Sequence, residues 1–331
     1  MTEKLRVSVI IVNWNGEKHL RVCLPSLAAQ SLKSLEIIIV DNCSSDASAE
    51  VAKSYGVRWL SLDKNIGLAP GLNQGARIAV GDLLLFVNND MRFDPGFVAA
   101  LAEPLEKDEQ LFATDWMQFN WDGTVREHLA TRLTNVPPRR RSFTELVPGL
   151  YFYQQEKTEK SPVFMASAAC MMVRRTLFEK VGGFDDRLPL GYEDAEIGWR
   201  AWVHGWKTLH VPNAVCWHRV GSSTKSSLEA ERFNFRGILK GRLLLATKLL
   251  PKRYVFRTWL VSAAGFAKDI SRLRWKFAID RIRVLVYMAG LFAQMLREKR
   301  AMFKDANRSP EEQLEFLLRL TNDDILTNEG N

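Results

Sequence analysis

The hydrophobic and polar positions of the chain fall into short apolar runs separated by amphipathic stretches. Val7–Val12, broken by Ser8, and Ile37–Val40 and Leu83–Val87 are apolar runs, the pattern of strands buried on both faces of a parallel sheet. Between them, Glu17–Gln30, Ala47–Tyr55 and Leu72–Val80 carry helical spacing, and a weaker strand, Val57–Leu62, fits between the second and third of these. Strand–helix alternation with short connections predicts an α/β fold, a doubly wound and mainly parallel sheet with helices on both faces. Ligands in that architecture sit at the carboxyl ends of the strands.

The pattern loosens farther on. Residues Asn120–Ser161 hold Pro137, Pro138, Arg139–Arg141 and Pro148 among many polar side chains, which predicts a long insertion or lid. Phe164–Arg174 reads as a strand, Arg175–Val181 as a helix leading to Gly182-Gly183-Phe184-Asp185, Glu193–His204 as a helix, and Thr208–Val211 as a strand followed by Trp217-His218. From Ser226 the sequence is helical throughout, with Arg and Lys set among Leu, Phe, Trp and Ile. The tail from Asp305 is polar and acidic, with one short amphipathic helix near Glu311–Leu320. No internal repeat is visible.

Composition changes this picture in two places. The 331 residues are 47% hydrophobic and 25% charged, which excludes disorder as the main state. The net charge of +8 is uneven: Arg219 to Lys304 holds 20 Lys and Arg against 5 Asp and Glu, so the rest of the chain is net acidic. Cys23, Cys43, Cys170 and Cys216 form no CxxC pair and fit free thiols in a reducing compartment. The N-terminus has no secretory pattern, and no stretch reaches the roughly 20 apolar residues of a membrane-spanning helix. A cytoplasmic chain, held peripherally to a surface, is expected.

The candidate chemistry gathers at strand ends. The first strand ends in Asn13-Trp14-Asn15-Gly16, the second in Asp41-Asn42-Cys43-Ser44-Ser45-Asp46, and the strand Leu83–Val87 in Asn88-Asn89-Asp90. Asp41 and Asp46 also suit turns or helix caps. Three polar clusters at one sheet edge nevertheless make a pocket that turns alone do not explain. The stretch Asn65 to Gly75, with Gly67, Gly71 and Asn73, precedes a helix without matching a Walker loop or a dinucleotide GxGxxG. Asn88-Asn89-Asp90 is an oxygen-rich group suited to Mg²⁺ or Mn²⁺ bridging a diphosphate. Further ligands must come from elsewhere, and Glu193-Asp194-Ala195-Glu196 and His218 are the candidates downstream. Carboxylates at a helix start are also stabilised by the helix dipole alone, and a lone histidine is often structural.

The ordered segments VSVIIVNWNG, IIIVDNCSSD, NIGLAPGLNQG, LLLFVNND, VGGFDDRLPLGYEDAEIGWR and CWH, spanning roughly residues 6–223, resemble a family 2 glycosyltransferase of the GT-A fold. The branch they resemble contains rhamnosyltransferases and galactofuranosyltransferases. The resemblance implies residue roles. Asp41 would bind the uracil or thymine ring with Asn13 in the same pocket, and Asn65, Gly67, Asn73 and Asn89 would line the nucleotide and diphosphate region. Asp90 would ligate the metal, with Asn88 in place of the usual first Asp and His218 as the late metal ligand. Asp194 would be the catalytic base. Glu193 and Trp217 are weaker candidates for contact with the acceptor.

The implied organisation is a catalytic domain over residues 1–224, with a nucleotide-binding half at about 1–90, an acceptor half at about 91–224 and the insertion at about 120–161. A basic amphipathic helical region, 225–304, and an acidic tail, 305–331, follow. One base and no carboxylate nucleophile implies inverting transfer from a nucleotide-sugar, dTDP-rhamnose or a UDP-sugar, to a hydroxyl of a glycan or lipid-linked acceptor in cell-envelope synthesis. Arg272, Arg274, Lys276, Arg281 and Arg283 around Trp275 and Phe277 suit an anionic membrane surface, although packing on the catalytic domain explains the same pattern. A sugar nucleotidyltransferase lacks support, since its early Gly-rich signature is replaced by Asn13-Trp14-Asn15-Gly16. A catalytically idle scaffold is disfavoured by the intact Asp90, Asp194 and His218. Nucleic acid is not expected as a partner, since charge is its sole support.

Overall fold

The computed structural model describes residues 5–33, 35–137, 143–188, 191–219 and 228–320. Its first half is the expected alternation: β1 (Val7–Asn13), α1 (Glu17–Ala28), β2 (Leu35–Asp41), α2 (Ser48–Ser54), β3 (Arg58–Ser61), α3 (Leu68–Ile78) and β4 (Leu83–Asn88). β1 lies between β2 and β4, parallel to both, and β3 pairs parallel with β2. The register sets Asn13 beside Asp41 and Val12 beside Asn88. The polar strand ends therefore form one row.

Side chains alternate across β1. Val7, Val9 and Ile11 pack with Leu20, Leu24 and Leu27 of α1 on one face. Ile10 packs with Leu72 of α3 on the other. α3 begins four residues earlier than its periodicity suggests, because Pro70 sits in the first turn, where its missing N–H costs no helical bond. The helix runs close against the sheet: a Cβ at Gly75 would stand 2.4 Å from Ile10 Cγ2.

The sheet continues through β5 (Met91–Phe93), α4 (Phe97–Lys107) and β6 (Leu111–Asn120), for which the sequence pattern predicts no element, and takes in β7 (Arg126–His128) from inside the 120–161 insertion. Within the 120–161 insertion lie β8 (Ala130–Thr134), β9 (Phe143–Val147) and β10 (Leu150–Gln155), a three-stranded antiparallel sheet ordered β8-β10-β9. The insertion is thus a packed layer and not a polar loop. Leu133, Leu146 and Leu150 bury against Trp199, Leu245 and Leu317 from elements far along the chain. Pro138 and Arg139–Arg141 lie outside the described residues.

β11 (Ser161–Pro162) leads to β12 (Cys170–Arg174), α5 (Arg175–Lys180), α6 (Glu193–Val203) and β13 (Lys207–His218). The strand expected over Phe164–Arg174 is confined to its last five residues. Before them the chain runs beneath α6, where Trp202 Nε1 donates to the carbonyls of Val163 and Phe164 and Phe164 N donates to Thr131 O. Its polar groups are satisfied without a ladder. β13 in turn is longer than the expected Thr208–Val211 and includes Trp217 and His218. It pairs with β6 on one side and, near its end, with β5 on the other. The long sheet has the order β11-β13-β6-β12-β4-β1-β2-β3.

The helical part comprises α7 (Leu228–Leu249), α8 (Lys252–Ser271), α9 (Trp275–Lys304) and α10 (Pro310–Arg319). It shares cores with the α/β part. Leu245 and Leu249 of α7 join the small sheet's core, and Val284, Met288 and Met295 of α9 pack with Leu188 and Tyr192. α10 opens with a Ser309/Glu312 capping box and returns to β8, where Arg132 Nη1 donates to Leu320 O at 2.7 Å. No helix among the described residues is long and apolar enough to cross a membrane.

Candidate active site

Topology explains why His218 and Asp194 reach the edge occupied by Asn13 and Asp41. β12 is antiparallel to β4 and to β6, and β13 is parallel to β6. β13 therefore runs in the direction of β1 and β4, and its carboxyl end, His218, falls on the same edge. α6 joins β13 through a tight turn at Gly205, so the helix's amino end lies back towards that edge.

At this edge His218 Nε2 is 3.0 Å from Asp90 Oδ1, and both residues are largely buried. Arg219 N donates to the Asp90 carbonyl at 3.1 Å, fixing the approach of the two segments. Among the described residues no three His, Cys, Asp or Glu side chains form a metal cluster. An imidazole and a carboxylate in contact still fit Mg²⁺ or Mn²⁺, which is bound by few protein groups together with phosphates and water. Asn88 holds the strand end through its backbone, its N–H donating to Ala169 O at 2.8 Å.

Asn13, Asp41 and Asn89 form a second connected group. Asn89 Nδ2 donates to Asn13 Oδ1 at 2.8 Å, and Asn13 Nδ2 donates to Asp41 Oδ1 at 3.1 Å. Ser44 N donates to Asp41 Oδ2 at 2.9 Å. The amides leave no room at Gly16, where a Cβ would stand 2.1 Å from Asn89 Nδ2. Asp46 is occupied differently: it accepts from Glu17 N at 2.9 Å and Ser48 N at 3.1 Å, serving the starts of α1 and α2.

The glycine-rich stretch divides. Asn65 Oδ1 accepts from Gly67 N at 3.0 Å, closing a turn that Asn42 clips through Gly67 O and Ile66 N. Asn42 was not singled out from sequence, although it directly follows Asp41. Asn73 is turned elsewhere: its amide bonds Phe184 N, Phe184 O and Asp186 Oδ1. Its contact is with the Gly182–Asp186 loop, so any effect on a nucleotide passes through that loop.

Glu193 and Asp194 begin α6 behind Tyr192, which holds a left-handed conformation (φ 70°). Asp194 accepts from Ala195 N at 2.8 Å. Burial pushes its carboxyl above the ordinary value, while hydrogen bonds from Ala195, Ala168 and Ser167 pull the other way without cancelling that effect. Glu193 is pushed up to about 8, by burial first and by the neighbouring Asp194 charge second. Its buried Oε2 has no hydrogen-bond partner among the described residues.

Glu196, the third acid of the run, is committed to structure. It is fully buried and takes Lys248 Nζ at 2.6 Å and Arg200 Nε at 2.8 Å. Lys248 also reaches Asp185 at 2.9 Å, and Arg187 joins Asp185 to Glu298 of α9. Burial raises the Asp185 carboxyl, but Arg187 and Lys248 outweigh it and hold the group well below the carboxylate range. The loop before α6 is thus bolted to α7 and α9.

Trp217 lies in a stack that sequence reading did not assemble. The Arg92 guanidinium is 4.8 Å from both the Trp121 and the Trp217 ring centroids, and Arg219 is 4.4 Å from that of Trp121. Arg92 follows Asp90 by two residues and Arg219 follows His218 by one. Together they make a cationic, aromatic wall beside the Asp90–His218 pair.

A mainly parallel sheet whose polar strand ends share one edge is the architecture of glycosyltransferases of the GT-A fold. The chain belongs to glycosyl transferase family 2, whose family profile matches residues 8–182. It is 29% identical over 239 residues to an N-acetylglucosaminyl-diphospho-decaprenol L-rhamnosyltransferase of Mycobacterium tuberculosis, covering 65% of this chain and 76% of that protein. It is 30% identical to glycosyltransferase GlyA of Streptococcus pneumoniae, covering 69% of this chain but 32% of the relative. Among solved structures it resembles GalNAc-T7 with UDP, GalNAc and Mn²⁺ (TM-score 0.61, 20% identity, 85% of this chain and 55% of that one). It also resembles TarS 1–349 of S. aureus (TM-score 0.53, 17% identity, 92% and 93%). At these identities the structural likenesses establish the fold.

Proposed function

We propose that the protein transfers a sugar, with inversion, from dTDP-rhamnose or a UDP-sugar to a hydroxyl of a lipid-linked or glycan acceptor in cell-envelope synthesis. The observation that carries the reading is the contact of Asp90 with His218 at the edge where Asn13 and Asp41 stand. The relative from M. tuberculosis, named as a rhamnosyltransferase acting on a diphospho-decaprenol acceptor, supports rhamnose and a lipid-linked acceptor.

Asp41 and Asn13 bind the base, with Asn89 holding the Asn13 amide in place. Asp90 and His218 would hold a divalent cation, with Asn88 at the same strand end, and such a cation would supply Lewis-acid stabilisation of the charge on the departing nucleoside diphosphate. Asp194 takes the proton of the acceptor hydroxyl as its oxygen bonds to the anomeric carbon and the bond to the diphosphate breaks, a role typically worth about 10²–10⁴-fold. Its raised pKa brings it nearer to the proton it must accept. Burial and the neighbouring Asp194 charge favour the protonated form of Glu193, which adds no second negative charge. Trp217, backed by Arg92, borders the acceptor side.

The basic helices place the enzyme on an anionic membrane. Phe256 is 71% and Trp275 55% exposed on α8 and α9, among Arg and Lys, as an interfacial element requires. The reading is tested by incubating the protein with dTDP-rhamnose or UDP-sugars, Mn²⁺ and a diphosphate-lipid-linked N-acetylhexosamine. Transfer with inverted anomeric configuration, read by NMR of the product, supports it; retained configuration contradicts the role given to Asp194.

A further inference from the structure

The chemistry above leaves one large cavity unused. Between α8 and α9, where α10 begins, lies a cavity of ≈ 810 Å³, within the range of about 300–1,000 Å³ typical of small-ligand sites. Trp259, Phe292 and Leu296 supply apolar walls, and Lys252, Lys299 and Arg300 are the charged residues of its lining. Trp259 is fixed by its Nε1 donating to Thr247 Oγ1 at 3.0 Å and by an edge-to-face contact with Phe292.

Two features specify the occupant. The lining holds three cations and no carboxylate, so the complementary group is an anion. The walls carry almost no acceptor for backbone N–H groups, which a peptide segment would bring and leave unsatisfied. A hydrocarbon chain brings none. Lys299 fits the same reading: burial first, and Lys252 as well, lower its ammonium pKa to about 8 although Glu311 pulls it up. A phosphate nearby would raise that pKa and hold the ammonium charged. Phe256, itself part of the lining, is largely in solvent, so the cavity reaches an apolar surface beside its cations.

We propose that this groove takes one hydrocarbon chain of an anionic phospholipid, with the lipid phosphate on Lys252 and Arg300. The proposal rests on the membrane reading of these helices and deepens it from surface adhesion to a specific lipid site. Trp259 also packs in the cluster that contains Tyr192, so a seated chain lies against the layer supporting the start of the base helix.

The test uses the full chain with phosphatidylglycerol vesicles whose acyl chains carry bromine, reading tryptophan fluorescence and vesicle pelleting together. Brominated chains should quench the wild type, and Trp259→Phe should lose a distinct share of that quenching. Ala289→Phe, which fills the groove without altering charge, should lose the same share while still pelleting. Arg300→Glu, which leaves the walls intact, should weaken partitioning about fivefold or more. Equal quenching and pelleting in all four chains would overturn the lipid site and leave the membrane reading standing. No pelleting at low salt would overturn both. Quenching that appears only when residues 321–331 are removed would overturn it too, giving the groove to the chain's own acidic tail. Nucleotide binding, measured in parallel, reports on the transferase reading independently of either.

Discussion

His218 Nε2 of β13 and Asp90 Oδ1 at the end of β4 lie 3.0 Å apart although 128 residues separate them in sequence. The contact exists because β13 runs in the direction of β4 across two intervening strands. Replacing His218 by Ala removes one of the two side chains proposed to hold the cation and leaves the sheet in place. The variant should need a several-fold higher Mn²⁺ concentration for half-maximal transfer. A metal titration superimposable on the wild type would remove His218 from the metal site.

Asp194 accepts its hydrogen bonds from Ala195, Ala168 and Ser167, none of them nucleotide contacts. Asp194→Asn should therefore bind nucleoside diphosphate normally and lose transfer by about 10²–10⁴-fold. Activity in the wild type should rise with pH through a midpoint above the ordinary carboxylate value. An acid limb at or below that value would mean that the raised group is not the base.

Glu193 links function to stability. Its folded pKa of about 8 stands above the ordinary 4.5, so between those values the folded state keeps a proton that the unfolded chain releases. Stability contributed by this group is present below about pH 4.5 and is lost as pH rises through about 8. Thermal unfolding from pH 5 to 8 should show a falling Tm component that Glu193→Gln abolishes. An unchanged slope in the variant would assign the pH dependence to other groups.

Lys248 serves Glu196 and Asp185 at once, at 2.6 Å and 2.9 Å. Lys248→Ala leaves both carboxylates short of a cation in a buried setting and should cost about 3–5 kcal/mol, read by denaturant unfolding. A loss below about 1 kcal/mol would place the network in effective contact with water. Because the partners come from α6, α7 and the Gly182–Asp186 loop, unfolding of the helical and catalytic parts should be one transition.

Gly16 sits against the Asn13 and Asn89 side chains, with a Cβ position 2.2 Å from Asn13 Oδ1. Gly16→Ala should displace those amides at a cost of about 1–3 kcal/mol and weaken nucleotide binding at least tenfold, measured by calorimetry. Wild-type affinity would show that the Asn13–Asn89 bond is dispensable to the site.

β1, β2 and β4 were legible because each announces itself twice, by an apolar run and by a polar end. Val7–Asn13 and Leu35–Asp41 do both. β6 was not legible, since it carries buried Thr114, Asp115 and Gln118. Asp115 is paid for by His128 at 2.8 Å and His210 at 3.0 Å, from β7 and β13. Nothing local signals that compensation. The small sheet was read as a lid for a related reason: its core comes from α6, α7 and α10, so its apolar positions look unpartnered in sequence. The site divides the same way. Asp41, Asp90, Asp194 and His218 are named by motif, whereas the Arg92 stack between Trp121 and Trp217 needs strands β5, β6 and β13 brought together.

The most direct measurement is thermal unfolding of the wild type and Asp90→Ala with dTDP and UDP, each in Mn²⁺ or in chelator. A ligand that binds only the folded state raises its stability as concentration exceeds Kd. The wild type should gain several degrees with nucleotide and Mn²⁺ together, little with nucleotide in chelator, and Asp90→Ala should lose the metal-dependent part. Equal stabilisation of both proteins with or without Mn²⁺ would contradict a cation held at Asp90 and His218, and with it the proposed mechanism.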